Sequence, residues 1–341
     1  MHMADALLSP AVGLAMDVVS AAAVGAAARL IKKDEFSEKK IPIMGVAGAM
    51  VFAAQMINFT IPGTGSSGHI GGGILLAGLI GGGPAFLSMA AILIIQCLFF
   101  ADGGLLALGC NIFNMGVIPC LVVYPLVFKP IFRRGGYRRL AAASVSSSVL
   151  ALALGAFCVV LQTLLSGVTA LPFGAFSALM LPIHLVIGVV EGIVTAAVLC
   201  FVYKMRPEII GSAASGARLG GVSTKNVIVL LAALAVVVGG ALSLFASANP
   251  DGLEWAVGKT VSATLGENAE LEAQGDVYEN VASIQERTAV MPDYAFASDP
   301  ENAAGTPVAG LVGAGITFAL AGAAGFVISK VKKGKRAAAN G

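Results

Sequence analysis

Charge is scarce in this sequence. Aspartate, glutamate, lysine and arginine make up 12% of its 341 residues, and 57% are hydrophobic. Soluble globular domains carry about 25% charge, so an ordinary water-soluble domain is excluded and a nucleic-acid partner is not expected. Cysteine is sparse as well: Cys97, Cys110, Cys120, Cys158 and Cys200 lie in or beside apolar stretches, and none forms a Cys-x-x-Cys pair. A disulfide framework and a thiolate zinc site are therefore not expected. The first basic residue, Arg29, falls beyond the first apolar stretch, so no cleavable signal is predicted. A phosphate-binding loop is also missing. Gly252-Leu-Glu-Trp-Ala-Val-Gly258-Lys259-Thr260 comes nearest, with five residues between its glycines where that loop requires four. No ATPase resides in this chain.

What is present is apolar sequence in long runs. Stretches of spanning or near-spanning length cover 10–31, 41–59, 69–82, 84–101, 104–128, 140–165, 175–203, 226–246 and 307–329. They predict an all-α polytopic membrane protein with nine crossings. Nineteen of the 21 basic residues fall in 29–40, 129–139, 204–225 and 330–336, which share one side if all nine segments cross. The positive-inside rule makes that side cytoplasmic. The N-terminus, the 60–68 loop and the segment 247–306 then face outward, the C-terminus inward. Glycine is abundant, and small residues recur four apart at Gly68/Gly72, Gly73/Ala77/Gly81 and Gly78/Gly82, a pattern for close helix packing. Residues 247–306 hold eleven acids against Lys259 and Arg287, together with the single tryptophan, Trp255. They predict a solvated outer segment, partly helical over 265–287, whose charge either gathers divalent cations or only keeps the loop soluble.

Met1-His2 is the candidate metal-binding sequence. A free α-amine, the deprotonated amide of His2 and the Nδ1 of its ring lie in one plane and close two chelate rings around one ion. Only a late first-row ion such as Ni(II), Cu(II) or Co(II) displaces an amide proton, and such ions accept a tetragonal nitrogen set. His69, on the same face, would supply the fourth corner. Asp5 and Asp102 sit at the outer ends of their segments, where either could accept the second ring N–H of a bound histidine. His184 and Glu191 share a helix face two turns apart, too far to chelate one ion together, and are assigned structural roles. Gly65-Ser66-Ser67-Gly68 has the Gly-x-Ser-Gly form found around a rhomboid protease nucleophile. Ser67 with His184 is thus the enzyme alternative, although it explains neither Met1-His2 nor the acidic segment.

Gly63–Gly73, the run from Gln96 through Asp102-Gly103-Gly104-Leu105, and Leu108-Gly-Cys-Asn111-Ile-Phe-Asn114-Met-Gly116 together resemble the substrate-binding membrane subunits of cobalt and nickel energy-coupling-factor importers, the CbiM/NikM family. Met1-His2-x-x-Asp5 is similar to that family's N-terminus, although Ala4 and Ala6 stand where members often carry Pro or Gly. Pro250-Asp-Gly-Leu-Glu254 resembles the signature of the small accessory subunit, fused here after the core. The resemblance implies a seven-helix core (1–205), a cytoplasmic linker (206–225), an accessory unit of two helices around the outer loop (226–330) and a basic cytoplasmic tail (331–341). It implies an ion held by the Met1 amine, the amide and ring of His2, and His69. Asp5, Ser67, Gln96, Asp102 and Asn111 would form the surrounding layer. It further implies transported Ni(II) or Co(II) with no resident cofactor, a separate transmembrane coupling subunit with two cytoplasmic ATPase subunits, a plasma-membrane location and a link to cobalamin biosynthesis.

Overall fold

Proline and glycine punctuate the chain and fix where its helices begin and end. The computed structural model describes residues 1–31, 40–221, 223–267, 269, 271, 273 and 275–339, with the side chains of 332–339 outside that description. Residues 32–39 of the expected basic loop, and in the tail 340–341 with the side chains of 332–339, therefore lie outside that description. Pro10 sits at the first turn of α1 (Pro10–Leu30), where its missing N–H costs nothing. There follow α2 (Lys40–Gln55), a hairpin of β1 (Phe59–Ile61) and β2 (Ser66–Gly68), α3 (Gly73–Ile80) and α4 (Gly82–Phe100). The strands pair antiparallel with Thr60 opposite Ser67, a small addition to an otherwise helical fold. Next come α5 (Leu108–Phe132), α6 (Tyr137–Leu165) and α7 (Phe173–Met205), then the short α8 (Pro207–Ser215). The chain ends with α9 (Lys225–Phe245), α10 (Gly252–Leu265), α11 (Asp276–Thr288) and α12 (Gly305–Ala339).

Among the described residues seven helices are long and apolar enough to cross a membrane, and α2 is shorter at 16 residues. The expectation of a spanning helix over 69–82 needs correction. Only Gly73–Ile80 is helical, a rise of about 12 Å, while 69–72 runs as non-helical chain. Gly72 (φ 76°) starts this half-helix and Gly81 (φ 91°) separates it from α4; both conformations suit glycine. The element still passes from one end of the bundle to the other. Its Gly81 end approaches the Ala213 carbonyl, beside the place where Lys40 reaches the carbonyls of Ser212 and Ala217. Within α5, Pro119 and Pro125 lie in a π-helical stretch, Phe113–Phe128, a looser hydrogen-bond register that accompanies the two missing N–H donors.

Packing uses the small residues as the sequence suggests. A Cβ on Gly188 or Gly192 of α7 would sit 2.8 Å and 2.7 Å from the Val149 and Val145 Cα atoms of α6, so the two backbones touch. Gly73 lies against Pro119, Gly78 against Leu199 and Gly72 against Val51. Large apolar side chains point away from the bundle, among them Val18 and Leu126, each 70% exposed. An apolar surface of that extent needs a lipid solvent. The acidic segment is more ordered than the sequence suggests: α10 lies ahead of the expected 265–287 helix. It starts at a capping box in which Asp251 accepts from the N–H groups of Leu253 and Glu254, and the Glu254 side chain accepts from the Asp251 N–H. The phosphate-loop look-alike is this helix.

Candidate metal centre

Three stretches distant in sequence meet at one end of the bundle. The N-terminal segment enters it in extended form because the peptide groups of Met3 are taken up on both sides. The Met3 N–H donates to Asn111 Oδ1 at 2.8 Å, and the Met3 carbonyl accepts from the Gly104 N–H at 2.8 Å and from Asn111 Nδ2 at 3.2 Å. Met3 itself is fully buried. Gly155 leaves room for the Met1 side chain, whose Cε would lie 2.9 Å from any Cβ there.

So anchored, Met1 carries its α-amine into the interior, where it meets His69 Nε2. The same amine donates to Asp251 Oδ2 at 2.7 Å, and Asp251 Oδ2 lies 3.5 Å from His69 Nε2. The His2 ring stacks on the His69 ring with centroids 5.2 Å apart and planes 7° from parallel. Its Nδ1 is 3.1 Å from Asp102 Oδ1, while its Nε2 is buried without a partner among the described residues. Beside these groups is a void of about 10 Å³ bordered by Met1, Gly68, His69, Met115, His184 and Asp251, room for a single water-sized particle. A larger cavity of about 800 Å³, lined by His2, Asp5, Asp102, Gln285 and Asp293 among others, opens above the N-terminal segment.

Electrostatics follow from this burial. For Asp251 burial favours the neutral acid, but the Met1 ammonium and His69 overcome it and hold the carboxyl well below the usual carboxylate range. Asp102 behaves alike: burial raises it, and His2 and the Tyr294 hydroxyl bring it down to about 2. Burial, and next the adjacent ammonium, lower His69. Imidazole and amine nitrogens without thiolate suit Ni(II), Cu(II) or Co(II) better than harder ions.

The residues expected around the site divide. Asp102 reaches the His2 ring, and Asn111 holds the segment carrying it. Asp5 does not take a ring N–H; its carboxylate accepts from the Ala107 N–H at 3.0 Å and so ties the N-terminal segment to the start of α5. Ser67 donates to the Asn249 carbonyl at 2.8 Å, joining β2 to the outer segment instead of touching His69. Gln96 is one residue further out, donating to Gln55 Oε1 at 2.9 Å. His184 and Glu191 separate: His184 Nδ1 lies 2.8 Å from the Met180 carbonyl, and Glu191 accepts from the Gly71 and Gly72 N–H groups. With Ser67 and His184 each engaged elsewhere, the protease alternative finds no support.

Sequence reasoning missed Asp251. In the sequence it stands as one of eleven acids of the outer segment and within Pro250–Glu254. The Asp251-x-x-Glu254 spacing was the available signal, since it announces a helix start, but nothing local says that the start lies against Met1. The outer segment also holds the rest of the site's rim. Tyr278 donates to the Leu8 carbonyl at 2.6 Å, Gln285 to the Gly103 carbonyl at 2.7 Å, and Tyr294 to Asp102 Oδ2.

Comparison with known proteins identifies the family. The profile of a family described as the cobalt uptake substrate-specific transmembrane region, CbiM, matches residues 2–209, and that of the PDGLE domain matches 225–330. An Archaeoglobus fulgidus protein named as a fused nickel transport protein, NikMN, is 32% identical over 97% of this chain and 98% of its own length. One from Haloquadratum walsbyi, named as a metal transport protein, is 35% identical over 62% of this chain and 93% of its own. A crystal structure titled as a truncated transition metal transporter is 27% identical, covers 60% of this chain and 99% of its own, and superposes with a TM-score of 0.53. The chain belongs to the CbiM family, carries a PDGLE domain after the CbiM region, and is a multi-pass membrane component of transition-metal transport and not an enzyme.

Proposed function

We propose that this chain is the substrate-capturing transmembrane subunit of an energy-coupling-factor importer for Ni(II) or Co(II). The ion would be bound by the Met1 amine, the deprotonated His2 amide, the His2 ring and His69. The observation that carries this reading is the buried α-amine, in contact with His69 Nε2 and Asp251. An N-terminus normally frays into water, and burying its charge costs several kcal/mol unless it is paired. A chain that places it so deep against an imidazole has a use for the nitrogen. Two further features agree. The His2 N–H takes no hydrogen-bond partner among the described residues, and it is the donor that must lose its proton on chelation. The His2 ring, turned by half about its Cβ–Cγ bond, presents Nδ1 away from Asp102 and brings Nε2 to the side that Asp102 occupies, where it gains the acceptor it now lacks.

The N-terminus and the outer segment would face outward and the basic loops inward, so that cargo is captured outside and released to the cytoplasm. Residues 1–205 would be the capturing core, 206–225 a linker, 226–330 the accessory unit and 331–341 a basic tail. A separate transmembrane coupling subunit and two ATPase subunits would supply the energy, since the nearest approach to a phosphate-binding loop, Gly252–Thr260, folds as part of α10. Nickel is the better fit to four planar nitrogens, with cobalt next.

The test is metal binding by purified full-length protein whose first residue is verified by mass as Met1, beside a version extended by one residue ahead of Met1. Offered Ni(II), Co(II) or Zn(II), the native form should take up one Ni(II) or Co(II), and the extended form none. Equal uptake by the two would refute the chelate.

A further inference from the structure

Asp251 lies on the accessory side of the chain, yet one of its carboxylate oxygens is committed to the amine of Met1. Oδ1 accepts from the Leu253 and Glu254 N–H groups at 2.8 Å and 2.9 Å, capping α10, and Oδ2 accepts from the Met1 amine at 2.7 Å. Each oxygen has its own task, and the carboxylate is almost wholly buried. Asp251 is fixed from three sides: by the Met1 amine, by the His69 ring 3.5 Å away, and by the backbone of β2, whose Ser67 N–H donates to the Pro250 carbonyl at 2.8 Å.

We infer that Asp251 is a positioning residue of the metal site, contributed by the accessory region, which aims the Met1 amine at His69. The inference rests on the reading given under Proposed function. With Oδ1 held by the α10 cap, Oδ2 fixes where the Met1 nitrogen stands beside His69 Nε2, so that the first ligand is in place before cargo arrives. The hydrogen bond to Asp251 would remain on the N–H of the coordinated amine. The accessory region thus reaches the ligand set through one side chain.

The experiment uses full-length protein with its native N-terminus and nickel chloride as the probe. Affinity is measured by calorimetry and the planar Ni(II) chromophore by visible absorption. Asp251→Asn keeps the shape and the α10 cap, since asparagine caps helices as well as aspartate; it takes the charged partner from a buried amine and should melt below the native protein while keeping its helical content. Its Ni(II) affinity should fall roughly 10- to 100-fold, the range for partners of metal ligands, with the absorption shifted. Glu254→Gln, which alters the α10 cap without touching the amine, should leave affinity and spectrum alone. Wild-type Ni(II) affinity in Asp251→Asn overturns the inference, as does an unshifted absorption or an equal fall in Glu254→Gln. Failure of the underlying reading looks different: the N-terminally extended protein would then bind Ni(II) normally with Asp251 intact.

Discussion

Replacing Glu191 should destabilise the protein and loosen the metal site together, because this carboxylate holds the unwound peptide that leads from His69 into α3. Glu191 Oε2 accepts from the Gly71 N–H at 2.7 Å and Oε1 from the Gly72 N–H at 3.2 Å, while Gln55 Nε2 donates to the Gly71 carbonyl at 2.7 Å. Residues 69–72 are not helical, so their peptide groups depend on side chains for partners. Hydrogen bonds to a charged group contribute about 1.5–3 kcal/mol each, and a buried donor left unpaired costs about 1–3 kcal/mol. Glu191→Ala strands two donors, for a loss of about 3–5 kcal/mol. Glu191→Gln keeps one acceptor and turns an NH2 toward the other N–H, for about half of that. The assay is thermal unfolding in detergent, followed by Trp255 fluorescence, with Ni(II) calorimetry alongside. Alanine should lower the midpoint by on the order of 5–10 °C, glutamine by less, and both should weaken Ni(II) binding, since His69 is two residues from Gly71. An alanine variant with native midpoint and native affinity would refute the assignment of Glu191 as the clamp.

Two other outcomes follow from the site's supports. Gly104→Ala should abolish metal binding, because a Cβ there would overlap the Asp5 carboxylate and backbone and push the N-terminal segment out; calorimetry with Ni(II) checks it, and retained affinity contradicts the close approach. Asp102→Asn should weaken Ni(II) affinity by roughly 10- to 100-fold, more than Asp5→Asn does, since only Asp102 faces the His2 ring; Asp5→Asn should register instead in the unfolding midpoint, through its bond to the Ala107 N–H.

The seven long apolar helices were legible because apolar length is a local property of the sequence, and the meeting of Met1, His2 and His69 at one end of the bundle because the basic loops put all three on one side. The break at 69–72 was not legible from hydropathy, which averages over the fourteen residues of 69–82. Three successive glycines, Gly71, Gly72 and Gly73, were the sign that a helix would not run through. The role of Asp251 depends on contact across 250 residues of chain, which no window reports. His184 and Glu191 do share a helix face, but they bind apart: His184 turns back to its own α7 backbone, and Glu191 takes the 69–72 peptide. Asp5 could be placed at the correct end of its segment, yet its acceptor was claimed by the backbone of α5 before any ring could reach it.

The central claim is that cargo sits in a plane of four nitrogens that begins with the α-amine of Met1. X-ray absorption at the nickel edge of Ni(II)-loaded, native-N-terminus protein tests it most directly. Four nearest scatterers fitted as nitrogen, with the edge shape of a square-planar ion and imidazole signatures from two rings, is the expected result. Six nearest scatterers that include oxygen, in an octahedral edge, would contradict the account and move the cargo to the carboxylates of the outer cavity.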